Sequence, residues 1–337
     1  MDCQAWCQGN YMITRHEFVV SLAAGAMAPI AAVAQTDRKV RIASAYVARA
    51  ASTLPYEEAF LGALAGLGFE RGRNLIYDVR HGDGDPARLP SIVDELIALK
   101  PDLLVGIEQV AVVMRSKTAS IPIVVTVSSD PIAAGLAKTM ARPGGNVTGV
   151  ASLFETLAVK HVQLLKEIVP RMQTVAMLLD PGVPAAASFE RNVQAAANAL
   201  QAWVVTYQAK DRAELEGVFA RMESDRPDVM VSASGTGSHF GERQFIADSA
   251  LRLRVPCSAV FAANAEAGSL FSYGASLHGM FRQAATHAAR ILKGARPADL
   301  PIEQPTRYEL VINLKTAKAL GLRIPQSVLL RADQVIE

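Results

Sequence analysis

The chain has 337 residues, of which 50% are apolar, 20% charged and 6% aromatic, and it carries a net charge of +2. This composition excludes an intrinsically disordered chain, and the near balance of charge gives no electrostatic footprint for nucleic acid or an anionic membrane. The length exceeds what one hydrophobic core usually supports, so two lobes are expected.

The chain opens on an export pattern. Arg15 and His16 precede an apolar run from Phe18 to Val33, which ends at the small-residue signature Ala32-Val33-Ala34. Charge, apolar run and small residues in that order predict a signal peptide over residues 1–34, cleaved after Ala34, and a periplasmic mature protein. The run is Ala-rich, interrupted by Gly25 and Pro29, and short of the apolar length that a membrane span needs. Met12 is a second candidate for the start, because the residues before it fit no part of a signal. Cleavage removes Cys3 and Cys7 and leaves Cys257 alone, so no internal disulfide is expected. No Cys follows the cleavage signature to carry a lipid.

Beyond the signal, β-branched runs alternate with amphipathic stretches and with Gly, Pro and Asp punctuation, the signature of parallel βαβ units. The first strand is read at Val40 to Ala45, followed by a loop through Ala50-Ala51-Ser52 and a helix from Tyr56 to Leu67, where Phe60, Leu64 and Leu67 share a face. A strand Leu75 to Val79, a helix Arg88 to Leu99, a strand Leu103 to Ile107 and a helix Val110 to Thr118 come next. The strand Ile123 to Val127 then leads through Ser128-Ser129-Asp130-Pro131 into a helix predicted at Ile132 to Met140, and Arg142-Pro143-Gly144-Gly145-Asn146 is a turn.

The pattern restarts after Val147 to Val150. A helix Thr156 to Ile168 precedes the strand Thr174 to Leu179, followed by a helix Ser188 to Leu200, a strand Trp203 to Tyr207, a helix Ala213 to Met222 and a strand Val229 to Ser232. The remaining elements are a helix Arg243 to Leu253, short strands near Ser258 and Leu270, a helix Met280 to Leu292, a strand Leu310 to Ile312 and a helix Leu314 to Leu320. The fold class is therefore α/β, with two doubly wound parallel-sheet lobes and a ligand crevice between the carboxyl ends of their strands.

Motifs of catalysis are missing. His16, His81, His161, His239, His278 and His287 show no metal-ligand spacing, and there is no nucleophile elbow, Walker loop or dinucleotide fingerprint. No catalytic residue, no metal and no cofactor is expected. His81-Gly82-Asp83-Gly84-Asp85 could form a metal loop, but Asp85-Pro86 reads better as a cap with Pro at the first helical position.

The positions of interest follow strand ends, where helix starts offer free N–H groups to an anion. They are Glu108-Gln109, Ser129-Asp130, Asp180, and Ser234 with Thr236. Together these groups suit a ligand with an anionic and a cationic end, such as an amino acid, with Asp130 taking the ammonium. Taken singly, each also fits as a helix cap or turn former. Tyr46, Phe261 and Tyr273 are candidate walls for an apolar ligand group, or ordinary core, whereas Met280 and Phe281 read as packing.

Several segments resemble the substrate-binding proteins of ABC transporters, of the tryptophan/tyrosine-binding type. They are Ile121-Pro122-Ile123-Val124, Ser129-Asp130-Pro131, the turn from Arg142 to Gly149, Ser272-Tyr273-Gly274, and the long stretch from Glu303 through Gly321. The resemblance implies a type I periplasmic-binding fold of two lobes joined by three crossovers, here near Val150, Tyr273 and Pro301. Lobe 1 would comprise residues 37–149 plus about 274–300, and lobe 2 residues 150–273 plus about 301–337. Carried over residue by residue, the site falls on Glu108-Gln109, Asp130, Ser234 to Thr236, and Phe261 to Glu266. Two departures stand out: the bulky Glu108-Gln109 occupies a loop that is often small, Thr and Pro in the family, and Ala151-Ser152 stands where an acidic residue is common.

The expected function is solute binding for an importer, with a small-molecule ligand of the amino-acid or related carboxylate class, a membrane permease as partner, and the protein a monomer. An exported enzyme of racemase or lyase type and a ligand-sensing protein are the alternatives. Cys257 stands without a second cysteine for the former.

Overall fold

A computed structural model describes residues 39–233 and 238–337. The predicted signal peptide and the site candidates Ser234 and Thr236 lie outside the described residues.

The first half builds a five-stranded, wholly parallel sheet from β1 (Val40–Tyr46), β2 (Leu75–His81), β3 (Leu103–Gly106), β4 (Ile123–Ser128) and β5 (Val147–Ala151), in the order β2-β1-β3-β4-β5. Its helices are α1 (Ala50–Gly66), α2 (Leu89–Ala98) and α3 (Glu108–Lys117). Strands β3, β4 and β5 are buried along their whole length, which is why they read as continuous apolar runs rather than alternating ones.

The second half repeats the plan. It contains α4 (Ala158–Ile168), β6 (Thr174–Leu179), α5 (Ala186–Ala199), β7 (Trp203–Gln208), α6 (Arg212–Asp225), β8 (Val229–Ser232), α7 (Ser238–Gly241), α8 (Arg243–Arg252), β9 (Cys257–Ala259), α9 (Ala262–Glu266) and β10 (Phe271–Ala275). Strands β7-β6-β8-β9-β10 take the same spatial order as the first sheet. Helix α10 (Leu277–Leu292) then returns to the first lobe and packs on α1, β4 and β5. The chain crosses back to add β11 (Tyr308–Asn313), α11 (Leu314–Leu320), α12 (Gln326–Leu329) and β12 (Gln334–Ile336) to the second lobe. The pairing of β10 with β11 is antiparallel, a departure from the all-parallel expectation; β11 pairs with β12 in parallel.

Three strands of chain thus join the lobes. One runs from β5 into Ser152, one from β10 into α10, and one from Glu303 to Tyr308. The Glu303 segment is pinned to the end of β5 by hydrogen bonds from Ala151 N to Glu303 O (2.9 Å) and from Glu303 N to Gly149 O (3.0 Å). Two glycines allow close approaches beside these crossings. A Cβ on Gly149, at φ +143°, would lie 2.1 Å from Val125 O, and one on Gly274 would lie 2.1 Å from Val260 O.

Two predicted elements differ. Helix α1 begins at Ala50, six residues before the expected start, so the Ala50-Ala51-Ser52 loop is its first turn. Pro55 sits inside that helix near its beginning, where few intrahelical N–H bonds are lost. The helix expected at Ile132 to Met140 is a run of turns instead. The Asp130 carboxylate accepts from Ile132 N and Ala133 N, and Gly135 at φ +70° then ends the helical path.

Candidate functional site

In a sheet of this order the chain reverses its direction of travel between β1 and β3, and the crevice opens outside their carboxyl ends. Tyr46 and Val47 at the end of β1 and Ile107 at the end of β3 line a cavity of about 830 Å³ there. Helix α1 leads away from the same point and presents Arg49, Ser52, Thr53 and Tyr56, at positions i, i+3, i+4 and i+7, along one cavity wall. The second lobe supplies the opposite wall from Lys210 to Arg212 and from Ser238 to Glu242.

The interior of this cavity is aromatic. The Tyr46 ring stacks between His81 (5.6 Å between centroids, 18° between planes) and Phe281 (6.5 Å, 18°). Tyr56 packs on Phe281 at 5.6 Å and meets Phe240 of the second lobe at 6.4 Å. Phe240 is itself backed by Phe261 at 6.2 Å and covered by the Arg243 guanidinium at 4.8 Å. Burial pushes the Tyr56 hydroxyl up to about 12 and that of Tyr46 well above its ordinary value, so both are neutral hydroxyls at any physiological pH.

The rim is charged, and most of its charges are already matched. Asp83 pairs with Arg88 (2.6 Å), Lys210 with Glu214 (3.0 Å) and Arg212 with Glu242 (2.8 Å). Asp211 caps α6 by accepting from Glu214 N (2.9 Å), and Asp85 accepts from Ala87 N (2.9 Å), which is the turn-and-cap role read for it in the sequence. Arg49, at the N-cap of α1, has no ion-pair partner among the described residues. A free cation beside the uncapped start of a 17-residue helix favours an anionic group at this edge of the cavity.

Two loops form the second-lobe wall, and they are tied together. The Asp180 carboxylate at the end of β6 accepts from Ser238 N (3.3 Å) and Ser238 Oγ (3.0 Å), fixing the start of α7. His239 reaches Ala209 O at 2.7 Å through Nε2; burial lowers its pKa, so it is neutral and donates this bond.

Of the residues singled out from the sequence, Tyr46 lines the cavity. Phe261 stands one layer behind it, 1% exposed, as support for Phe240. Asp180 acts through Ser238, and Tyr273 packs edge-on against His161 at 6.2 Å. Glu108 is 1% exposed, and its carboxylate is filled by Ser128 Oγ, Ser129 Oγ (2.6 Å), Ser129 N (2.9 Å) and Asp130 N (3.0 Å). Burial raises its pKa against the pull of those bonds. Ser129 and Asp130 therefore serve Glu108 and the following turn, while Gln109 keeps a buried Oε1 with no protein donor among the described residues. Phe281, read as packing, is a cavity wall.

The sequence reading missed Arg49, Thr53, Tyr56 and Phe240, and also Glu155. The Glu155 carboxyl lies in the short 3-10 turn Phe154–Leu157, just past the first crossover, with a buried Oε2 that has no protein partner among the described residues. Among the described residues no group of three or more His, Cys, Asp or Glu side chains could hold a metal ion. Cys257 is 2% exposed, and burial pushes its thiol up to about 12, which removes it as a nucleophile.

The chain matches the family model "ABC transporter substrate binding protein" over residues 42–336. The chain belongs to that family. Two solved structures superpose on it with a TM-score of 0.81 at 27% identity, each covering 88% of this chain and 100% of the other. One is a conserved domain protein from Vibrio cholerae, and the other an ABC domain in complex with L-Trp from Streptococcus pneumonia. A tyrosine-binding protein of Clostridioides difficile is 23% identical over 278 residues, 79% of this chain and 76% of the relative. The family members so identified are binding proteins. Among the described residues of this one, no helix is long and apolar enough to cross a membrane.

Proposed function

We propose that this chain is the periplasmic solute-binding component of an ABC importer, that it holds an aromatic amino acid or a related aromatic carboxylate by closing its lobes, and that it catalyses no reaction. The observation that carries this reading is the cavity whose aromatic walls come from both lobes, with Tyr56 facing Phe240 across it and Arg49 free at its edge. Aromatic faces supply most of the affinity at such a site, and a few placed polar groups fix orientation. The tyrosine- and L-Trp-binding relatives support the ligand class. Delivery to a membrane permease and export with cleavage after Ala34 follow the family pattern.

The test is a thermal-shift and calorimetric screen of residues 35–337, freed of any carried ligand by unfolding and refolding. Amino acids, aromatic carboxylates and sugars are compared. A ligand at 100 times its Kd adds about 2.7 kcal/mol, which raises Tm by several degrees. A shift confined to aromatic carboxylates, with the ligand recovered unchanged, is expected. A shift with sugars alone would remove the ligand class, and consumption of the ligand would replace binding with catalysis.

A further inference from the structure

One polar cluster joins α1 to the end of β2 and at the same time borders the cavity. Thr53 lines the cavity, yet it is 6% exposed, as is Glu57 one helical turn further along α1. Thr53 Oγ1 lies 2.5 Å from Glu57 Oε1 and 2.9 Å from His81 Nε2, and His81 Nε2 lies 3.1 Å from the same Glu57 oxygen. The His81 ring is the one that stacks behind Tyr46, so the cluster is seated against the aromatic wall.

The protons can be assigned. Thr53 has one hydroxyl hydrogen, and the carboxylate at 2.5 Å outcompetes the Ala50 carbonyl at 3.2 Å for it. His81 Nε2 faces two oxygens and no free hydrogen, so it carries the hydrogen itself and shares it between Thr53 Oγ1 and Glu57 Oε1. Thr53 then has no donor left to offer, and one of its two lone pairs is taken. The remaining lone pair is an acceptor whose basicity is raised by the carboxylate behind it. Thr53 shares the cavity wall with Tyr46, Tyr56, Phe281, Ile107 and Val127, uncharged and mostly apolar side chains that suit a ring. Arg49, one turn nearer the rim on the same helix face, repels an approaching ammonium.

We propose that Thr53, held as an acceptor by Glu57 and His81, receives a neutral hydrogen-bond donor carried on the ligand's ring, so that the cleft selects a phenol or an indole over a bare phenyl ring. This rests on the ligand class proposed above and narrows it. Sites built to pair a ligand O–H or N–H discriminate strongly, because an analogue without the donor leaves a buried group unpaired.

The experiment is calorimetric titration of the refolded protein with tyrosine, phenylalanine, tryptophan and 1-methyltryptophan, whose ring nitrogen has no hydrogen. The wild-type chain is expected to prefer tyrosine over phenylalanine, and tryptophan over its methylated analogue, by at least about tenfold in Kd. In Thr53→Val both ratios fall to near 1. Thr53→Ser restores the preference, which a merely structural role of the hydroxyl would not require. Circular dichroism and Tm confirm that the variants fold. Equal wild-type affinity for the paired ligands, or a preference that survives in Thr53→Val, overturns the inference and leaves aromatic binding standing. Failure of all four ligands to bind removes the ligand class and this inference with it.

Discussion

The carboxyl of Glu155 is pushed up to about 7, chiefly by burial; its own backbone N–H pulls the other way, and the charges of Asp130 and Glu108 add to the rise. An ordinary Glu titrates near 4.5, so folding holds the proton on this group through the interval between. The stability tied to the protonated form is full below about pH 4.5 and is lost as pH rises through about 7. Replacing the residue by Gln keeps the shape without the charge. Glu155→Gln is therefore expected to raise Tm relative to the wild type at pH 8 and to leave it nearly unchanged at pH 5, as thermal unfolding at both values would show. Glu155 was not legible in the sequence, because only the first crossover brings it near Asp130 and Glu108. Glu108 was legible as a residue at a strand end, but nothing in a single chain says that two serines and two backbone N–H groups will consume its carboxylate.

Among the elements, the strands of both sheets other than β12 were readable from β-branched runs, and α11 from helical spacing, while α1 was read short and β12 was not read at all. Its Ser52-Thr53 and Pro55 look like loop chemistry, and they hid the turn that carries Arg49, Ser52 and Thr53 to the cavity. That single misplaced boundary accounts for much of the site that the sequence concealed. The other hidden wall, Phe240, stands on the four-residue helix α7, too short to leave a periodic pattern. Strand β5 shows the opposite case, where one residue type is dictated by geometry. Its Gly149 lets the backbone pass Val125 with no room for a Cβ, and its φ of +143° suits no other residue. Gly149→Ala is expected to cost at least about 3 kcal/mol or to abolish folding, which chemical denaturation measures. Gly145→Ala in the preceding turn, where a Cβ would meet nothing within 4 Å, is the control.

At the scale of the whole molecule, the two lobes meet across the cavity through the Tyr56 and Phe240 rings. An aromatic pair of this kind contributes about 0.5–1.5 kcal/mol beyond the area it buries. Phe240→Ala is therefore expected to weaken ligand binding by about three- to tenfold while leaving the unliganded Tm close to that of the wild type, since Phe240 is only half buried. Small-angle scattering should show a decrease in radius of gyration on ligand addition that is smaller in this variant. The repeated strand order and the two-lobe plan were legible from the alternation of elements, whereas the cavity, which depends on residues almost 200 positions apart, was not.

The return of α10 to the first lobe has a consequence for how the chain is made. The apolar face that β4 and β5 present to this helix stays uncovered until roughly 140 further residues have been synthesised. At common elongation rates that interval lasts on the order of ten seconds. The first half of the chain therefore leaves the ribosome as an incomplete body with an open core, unable to lock into its final form ahead of the rest. Completion of both halves thus waits for the last quarter of the chain.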